Sequence, residues 1–238
     1  MPADPLVLLH LHKTGGSTIH KLLEQHLPPA RLAPRNRAGI PDPESCMIYP
    51  IISGHVTAHF IQSLSGAPRV FTVMREPRQR LLSQIYFLKT YTVEHLETYD
   101  NPVALHIKET PLRELLRNSE QMDWARDYYV KRLDPLFDAA KSEVSTPDVD
   151  RALSFLKRCI VVGVTSRLEA FVRVALPHFG VSTDMQVPCV NRRQDLENKP
   201  GFEPVKLETI SGEDEAVISD LTRNDQELYT YALNVAPQ

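Results

Sequence analysis

At 238 residues, 42% of them hydrophobic and 24% charged, the chain has the size and composition of one globular α/β domain, or of one domain with an insertion. A formal net charge of −3 excludes a general nucleic-acid binder, which carries a marked basic excess. No apolar stretch approaches the ~20 residues of a membrane span, and no basic segment followed by a long apolar run marks a leader, so the expectation is a soluble, cytoplasmic protein without a membrane span.

In chain order, Leu6 to Leu11 reads as a strand buried on both faces, as in a parallel sheet. A glycine-containing turn follows, after which Ser17 or Thr18 could cap a helix running to about Leu27. Residues 28 to 46 carry Pro28, Pro29, Pro34, Pro41 and Pro43 with Arg31, Arg35 and Arg37, and read as irregular chain. Met47 to Ser53 is a second strand whose Pro50 points to an edge or a bulge. Arg69 to Met74 is a third strand, rich in β-formers. Pro77 opens a helix to about Tyr91, with Leu81, Leu82, Ile85 and Leu88 on its apolar side.

Further helices are expected over Pro111–Asn118, Gln121–Leu133 and Asp148–Arg158, and a fourth buried strand over Ile160–Val164. Leu168–Phe179 is helical, bent or ended near Pro177. Val187–Phe202 is loop-like, and helices over Gly212–Thr222 and Asn224–Asn234 close the chain. This alternation gives an α/β fold: three layers, P-loop-like, with a mainly parallel central sheet flanked by helices. One domain spans 1–238, with a less regular helical insertion around 92–147 that faces the acceptor. Cys46, Cys159 and Cys189 form no CxxC pair, so reduced thiols are expected and a zinc site is not.

The chemistry starts in His12-Lys13-Thr14-Gly15-Gly16-Ser17-Thr18. A helix N-terminus offers backbone N–H groups and a partial positive charge to an anion. Glycines let the backbone approach the anion's oxygens, and Lys13 adds a full charge. The lysine precedes the glycines, so the triphosphate pattern GxxxxGK[ST] is not met, and a ligand-free Gly-Gly turn is the plain competing reading. A second segment follows the third strand: Arg75-Glu76-Pro77-Arg78-Gln79-Arg80-Leu81-Leu82-Ser83-Gln84-Ile85-Tyr86. Arg75 sits where α/β sheets bind ligands, and Arg80 and Ser83, three apart on a helix, share a face. Arginine and hydroxyl together suit a second, separate phosphate; a solvated basic helix start is the alternative.

These two segments resemble the donor-binding motifs of the sulfotransferases that use 3′-phosphoadenosine 5′-phosphosulfate (PAPS), and the variant is most similar to the carbohydrate branch with the heparan and dermatan 2-O-sulfotransferases. The resemblance assigns the 5′-phosphosulfate to Lys13, Thr14, Gly15, Gly16, Ser17 and Thr18. It assigns the 3′-phosphate to the pattern RxPxxRxxSxY, met by Arg75, Pro77, Arg80, Ser83 and Tyr86. Weaker similarity continues at Val162–Phe171, Val190-Asn191 and Asn224–Tyr229, whereas 28–46 and 92–147 have no clear counterpart. The resemblance implies PAPS as donor, leaving as 3′,5′-bisphosphoadenosine, and no required metal.

Sulfuryl transfer rests on positioning and charge stabilisation, with a neutral histidine to take the acceptor's proton. His55, in Ser53-Gly54-His55-Val56, resembles the GH segment whose histidine is the base; some relatives carry a further histidine at the place of Ser53. His59, one helical turn on, could assist. His10 and His12 flank Leu11 on one side of the strand; His12 reads as loop support and His10 as structural. Lys13 is placed to neutralise charge on the leaving phosphate.

For the acceptor, a hydroxyl on a small molecule or glycan, Trp124, Tyr128 and Tyr129 with Arg126, Lys131 and Arg132 could stack on a sugar, or could pack as core. Arg31, Arg35 and Arg37 could meet an anionic acceptor. The competing functions are a P-loop-type kinase, which needs a magnesium-binding carboxylate at a strand end, and a non-catalytic adenosine-bisphosphate sensor. A bacterial-type enzyme is the simplest source.

Overall fold

In the computed structural model the described residues are 4–36, 39, 41, 46–98, 101–141, 143–184, 187, 196 and 199–238. Arg37, Pro43, Cys189 and Val190-Asn191 lie outside them. The chain divides into two compact units: Met1–Glu76, Asp127–Pro188 and Asn224–Gln238 form the first, Pro77–Arg126 and Cys189–Arg223 the second.

The first unit holds a parallel sheet of β1 (Leu6–Leu9), β2 (Ile51–Gly54), β3 (Arg69–Met74) and β4 (Val161–Val164) in the order β2-β1-β3-β4. Its strands are short apolar runs because both faces are covered. Leu8, Ile51, Phe71, Val73 and Val161 pack against α1 (Gly16–His26) and α9 (Leu168–Phe179). Val7, Leu9, Ile52, Val70, Met74, Val162 and Val164 pack on the other face. There they meet α2 (Ala58–Ser63), α7 (Tyr128–Leu133), α8 (Thr146–Arg158) and the last helix, Asp225–Val235. This is the expected three-layer arrangement.

Pro50 precedes β2, which is an edge strand, as a proline there requires. The second unit is helical. α3 (Pro77–Lys89), α5 (Pro102–Glu109), α6 (Leu112–Arg117) and the helix Gly212–Leu221 bury Leu81, Ile85, Ile107, Leu112, Leu115, Leu116, Ile218 and Leu221 together.

Three local expectations are corrected. Helix α1 begins at Gly16 with Gly15 as its N-cap, so Ser17 and Thr18 lie inside its first turn and cap nothing. A single helix over Gln121–Leu133 does not form: Ser119–Met122 is a 3₁₀ turn, Asp127 takes a left-handed backbone (φ 46°), and only Tyr128–Leu133 is α-helical. The strand expected over Met47–Ser53 covers Ile51–Gly54, with Cys46–Ile48 in a 3₁₀ turn before it. Helix α9 spans Leu168–Phe179 as expected, with Pro177 in its last turn and Gly180 (φ 79°) as its C-cap. Helices α4 (Val93–Thr98) and α5 fall in the segment expected as a less regular helical insertion, without bounds of their own in the sequence reading. Burial pushes the Cys159 thiol up to about 12, so it is inert, and Cys46 is buried.

Candidate active site

The first unit assembles its site at the C-terminal ends of β1, β2 and β3, where open α/β sheets meet ligands. Beyond β1, the His10 amide still donates to the Gly54 carbonyl at 2.9 Å, and then the chain turns. Lys13 takes a left-handed backbone (φ 63°) and Gly15 another (φ 88°, ψ 2°). A left-handed conformation is unfavourable for lysine, so this loop is held from outside. Thr14 Oγ1 donates to Leu11 O at 2.8 Å. Thr165 Oγ1, after β4, lies 3.2 Å from Thr14 O and 3.1 Å from Met74 O, tying the loop to the end of β3. Gly15 has no side chain with which to cap α1, so the start of the helix keeps its anion-binding character.

Thr14 and Thr18 are buried, and Ser17 remains half-exposed. The Thr14 hydroxyl is committed to Leu11, which leaves its backbone amide to a ligand. Arg75 Nη1 donates to Lys13 O at 3.5 Å. Burial, and then the Arg75 charge, bring the Lys13 ammonium down to about 8. Two cations in one partly enclosed loop leave it short of negative charge.

The supports come from far away in sequence. Tyr129 Oη accepts from Arg75 N at 2.8 Å and donates to Arg75 O at 2.6 Å. Tyr128 Oη accepts from His12 N at 3.0 Å. Their own helix is capped by Asp225, whose Oδ1 accepts from Tyr129 N (2.8 Å) and Val130 N (3.2 Å). Asp127 accepts from Asn224 N and Nδ2 at 3.0 and 2.9 Å. The Asn224-Asp225 segment noticed in the sequence is therefore a brace for the tyrosines that hold both motifs. Tyr129 is wholly enclosed, with 0% of its surface exposed. Tyr129→Phe is expected to destabilise the fold by about 1–3 kcal/mol, since the Arg75 N–H loses a buried partner. Urea unfolding measures it, and an unchanged midpoint would contradict this account of the brace.

His55 follows β2 and is enclosed by other imidazoles. Its ring stacks on His10 (centroids 4.2 Å, planes 29° apart) and lies 4.0 Å from His12. Its Nδ1 is 2.7 Å from His10 O. A carbonyl only accepts, so the proton sits on Nδ1 and Nε2 carries the lone pair. Burial first, and then Arg132, Arg35 and Lys13, lower the His55 imidazole to about 4 against the opposing pull of the His10 carbonyl. It is therefore neutral at pH 7.

Gly39 (φ 75°) accepts from His55 N at 2.8 Å, and a side chain there would come within 2.9 Å of Cδ2 and 3.4 Å of Nε2. Glycine at this position keeps the lone pair clear. Ser53 is buried and shares a 2.8 Å hydrogen bond with His20 Nδ1, whose Nε2 faces Glu24 at 3.0 Å.

His59 is exposed and its Nδ1 donates to Pro135 O at 3.1 Å. Of the two readings of the aromatic row, the structure shows packing. Trp124 packs into the core of the second unit, Tyr129 is in the core of the first, and Tyr128 is buried under Arg132 at 5.6 Å. Arg126 pairs with Asp220 at 2.9 Å. In the second unit Ser83 is half-exposed on α3, while Arg80 is wholly enclosed with Nη2 3.5 Å from Ala125 O.

Among solved structures the chain matches a sulfotransferase from Alicyclobacillus acidocaldarius, with a TM-score of 0.54 and 15% sequence identity over 98% of this chain and 97% of that one. The fold is that of a sulfotransferase. No family model and no curated protein matches the chain. Within this sulfotransferase fold, no helix of the described residues is long and apolar enough to cross a membrane. No group of three or more His, Cys, Asp or Glu among them is arranged to hold a metal ion.

Proposed function

We propose that the protein transfers a sulfuryl group from PAPS to an acceptor hydroxyl, on a carbohydrate or a glycan-containing molecule. One observation carries the reading: a cationic, uncapped helix start with Lys13 and Arg75 lies in the same unit as a neutral histidine whose Nε2 holds a lone pair. The donor supplies a sulfuryl group bound to a good leaving phosphate. The loop residues Lys13 to Thr18 hold the 5′-phosphosulfate, chiefly through backbone N–H groups. The resemblance of the second motif assigns the 3′-phosphate to Arg75, Arg80 and Ser83.

His55 Nε2 takes the acceptor's proton as the acceptor oxygen bonds to sulfur and the sulfur–oxygen bond to phosphate breaks. The protonated Lys13 offsets the charge that collects on that phosphate. His55 does this without His59, and its tautomer is held by the His10 carbonyl.

Titration with 3′,5′-bisphosphoadenosine and with ATP tests the reading. Tight binding of the bisphosphate is expected, with ATP weaker. ATP binding with none for the bisphosphate would overturn it in favour of a kinase. Incorporation of labelled sulfate from PAPS into sugars or lysate fractions then separates enzyme from sensor and identifies the acceptor class.

A further inference from the structure

His10 was read from the sequence as structural, yet it touches both halves of the chemistry. Its carbonyl accepts the His55 Nδ1 proton at 2.7 Å, and its ring covers one face of the His55 ring at 4.2 Å. The same ring lies against Gly16, the first residue of the donor helix: a Cβ built there would be 1.9 Å from His10 Cδ2 and 2.4 Å from Cγ. The ring is thus clamped between the helix start and the base.

The clamp is tight. His10 is 5% exposed, and its Nδ1 has no hydrogen-bond partner among the described residues. Leaving a buried imidazole nitrogen unpaired costs free energy, and a phenylalanine would fill the same space without that cost. Burial, with His55 and His12 as lesser contributors, holds the His10 imidazole well below its ordinary range, so it carries no charge. Its contribution is therefore a flat, neutral face in a fixed place.

We infer that His10 is a positioning residue for this reaction: its ring transmits the placement of the donor helix at Gly16 to the imidazole plane of His55. The inference rests on the proposed sulfuryl transfer only for its meaning, since the geometry it describes exists in the ligand-free protein. Hydrogen-bonding alone would fix the His55 Nδ1 atom but leave the ring free to pivot about it. Ring contacts remove that pivot: His12 lies against the ring at 4.0 Å, and His10 covers its face and, through Gly16, ties that face to the start of α1.

The test compares His10→Phe, which keeps a flat ring, with His10→Leu, which fills the volume without one. Both are apolar and suit the buried site. Relaxation of the His55 ring ¹³C–¹H groups in the ligand-free proteins reports whether the ring pivots, and imidazole ¹⁵N spectra with added 3′,5′-bisphosphoadenosine report whether occupation of the loop is felt at His55. The Nδ1–H tautomer should persist in every variant, because the carbonyl that holds it belongs to the backbone. Wild type and His10→Phe are expected to show a rigid His55 ring and a ligand-induced shift at His55. His10→Leu is expected to show a mobile ring and to lose that shift while still binding the bisphosphate.

A His10→Leu protein with the wild-type ring rigidity and shift would overturn the inference. So would a His10→Phe protein that loses both, because the nitrogens would then be what matters. If the bisphosphate fails to bind wild type, the sulfotransferase reading fails, and the ring-mobility comparison in the free proteins still decides the role of His10.

Discussion

Replacing His55 by alanine is expected to lower turnover by about 10²–10⁴-fold, the usual contribution of a general base, with affinity for 3′,5′-bisphosphoadenosine essentially kept. The reason is geometric. The His10 carbonyl holds the proton on Nδ1, so the Nε2 lone pair is ready before the acceptor arrives, and a neutral side chain adds little to the binding of an anionic donor.

The pH dependence follows from the same groups. His55 must be deprotonated, and its imidazole is held at about 4; Lys13 must be protonated, and its ammonium is held at about 8. In the free enzyme, kcat/KM for the donor should rise as pH passes upward through about 4 and fall through about 8. Lys13→Arg retains charge at all accessible pH and should remove the alkaline limb. Initial rates with an acceptor found by labelled-sulfate transfer measure both effects. Full turnover in His55→Ala would sink the role of the base, and an alkaline limb that persists in Lys13→Arg would sink that of the lysine.

Gly16→Ala is expected to be the most damaging single-methyl change in the loop. The added carbon would lie 1.9 Å from a buried ring that is already stacked on His55. Neither the ring nor the helix start can yield without disturbing the other, and such overpacking costs about 1–3 kcal/mol, sometimes more. Gly15→Ala is a useful contrast. There the penalty comes from the backbone (φ 88°), about 1–2 kcal/mol for a left-handed residue with a Cβ. The neighbour at 3.0 Å is the end of the Leu168 side chain, which can give way.

Urea unfolding of both variants should rank Gly16→Ala as the less stable, with weaker bisphosphate binding as well. The opposite rank would mean that the His10–Gly16 contact is not the constraint described here.

Read alone, the sequence located the strands and both anion motifs. Short apolar runs next to glycine, proline and arginine are local signals, and local signals survive without a fold. It also placed His55 after the edge strand. It could not show that Thr14 turns its hydroxyl to Leu11, that His59 turns to Pro135, or that Arg80 is enclosed, because periodicity does not report side-chain direction at the ends of elements.

Tyr128 and Tyr129 have helical spacing, which says core, and both are buried, but their hydroxyls also serve His12 and Arg75, at separations of 116 and 54 residues. No spacing rule spans such distances. The sequence by itself determined which groups could carry the chemistry. The tertiary structure decided which of them meet: crossovers of a parallel sheet bring the ends of β1, β2 and β3 together, and packing fixes the tautomer and charge of His55 and Lys13 once they are there.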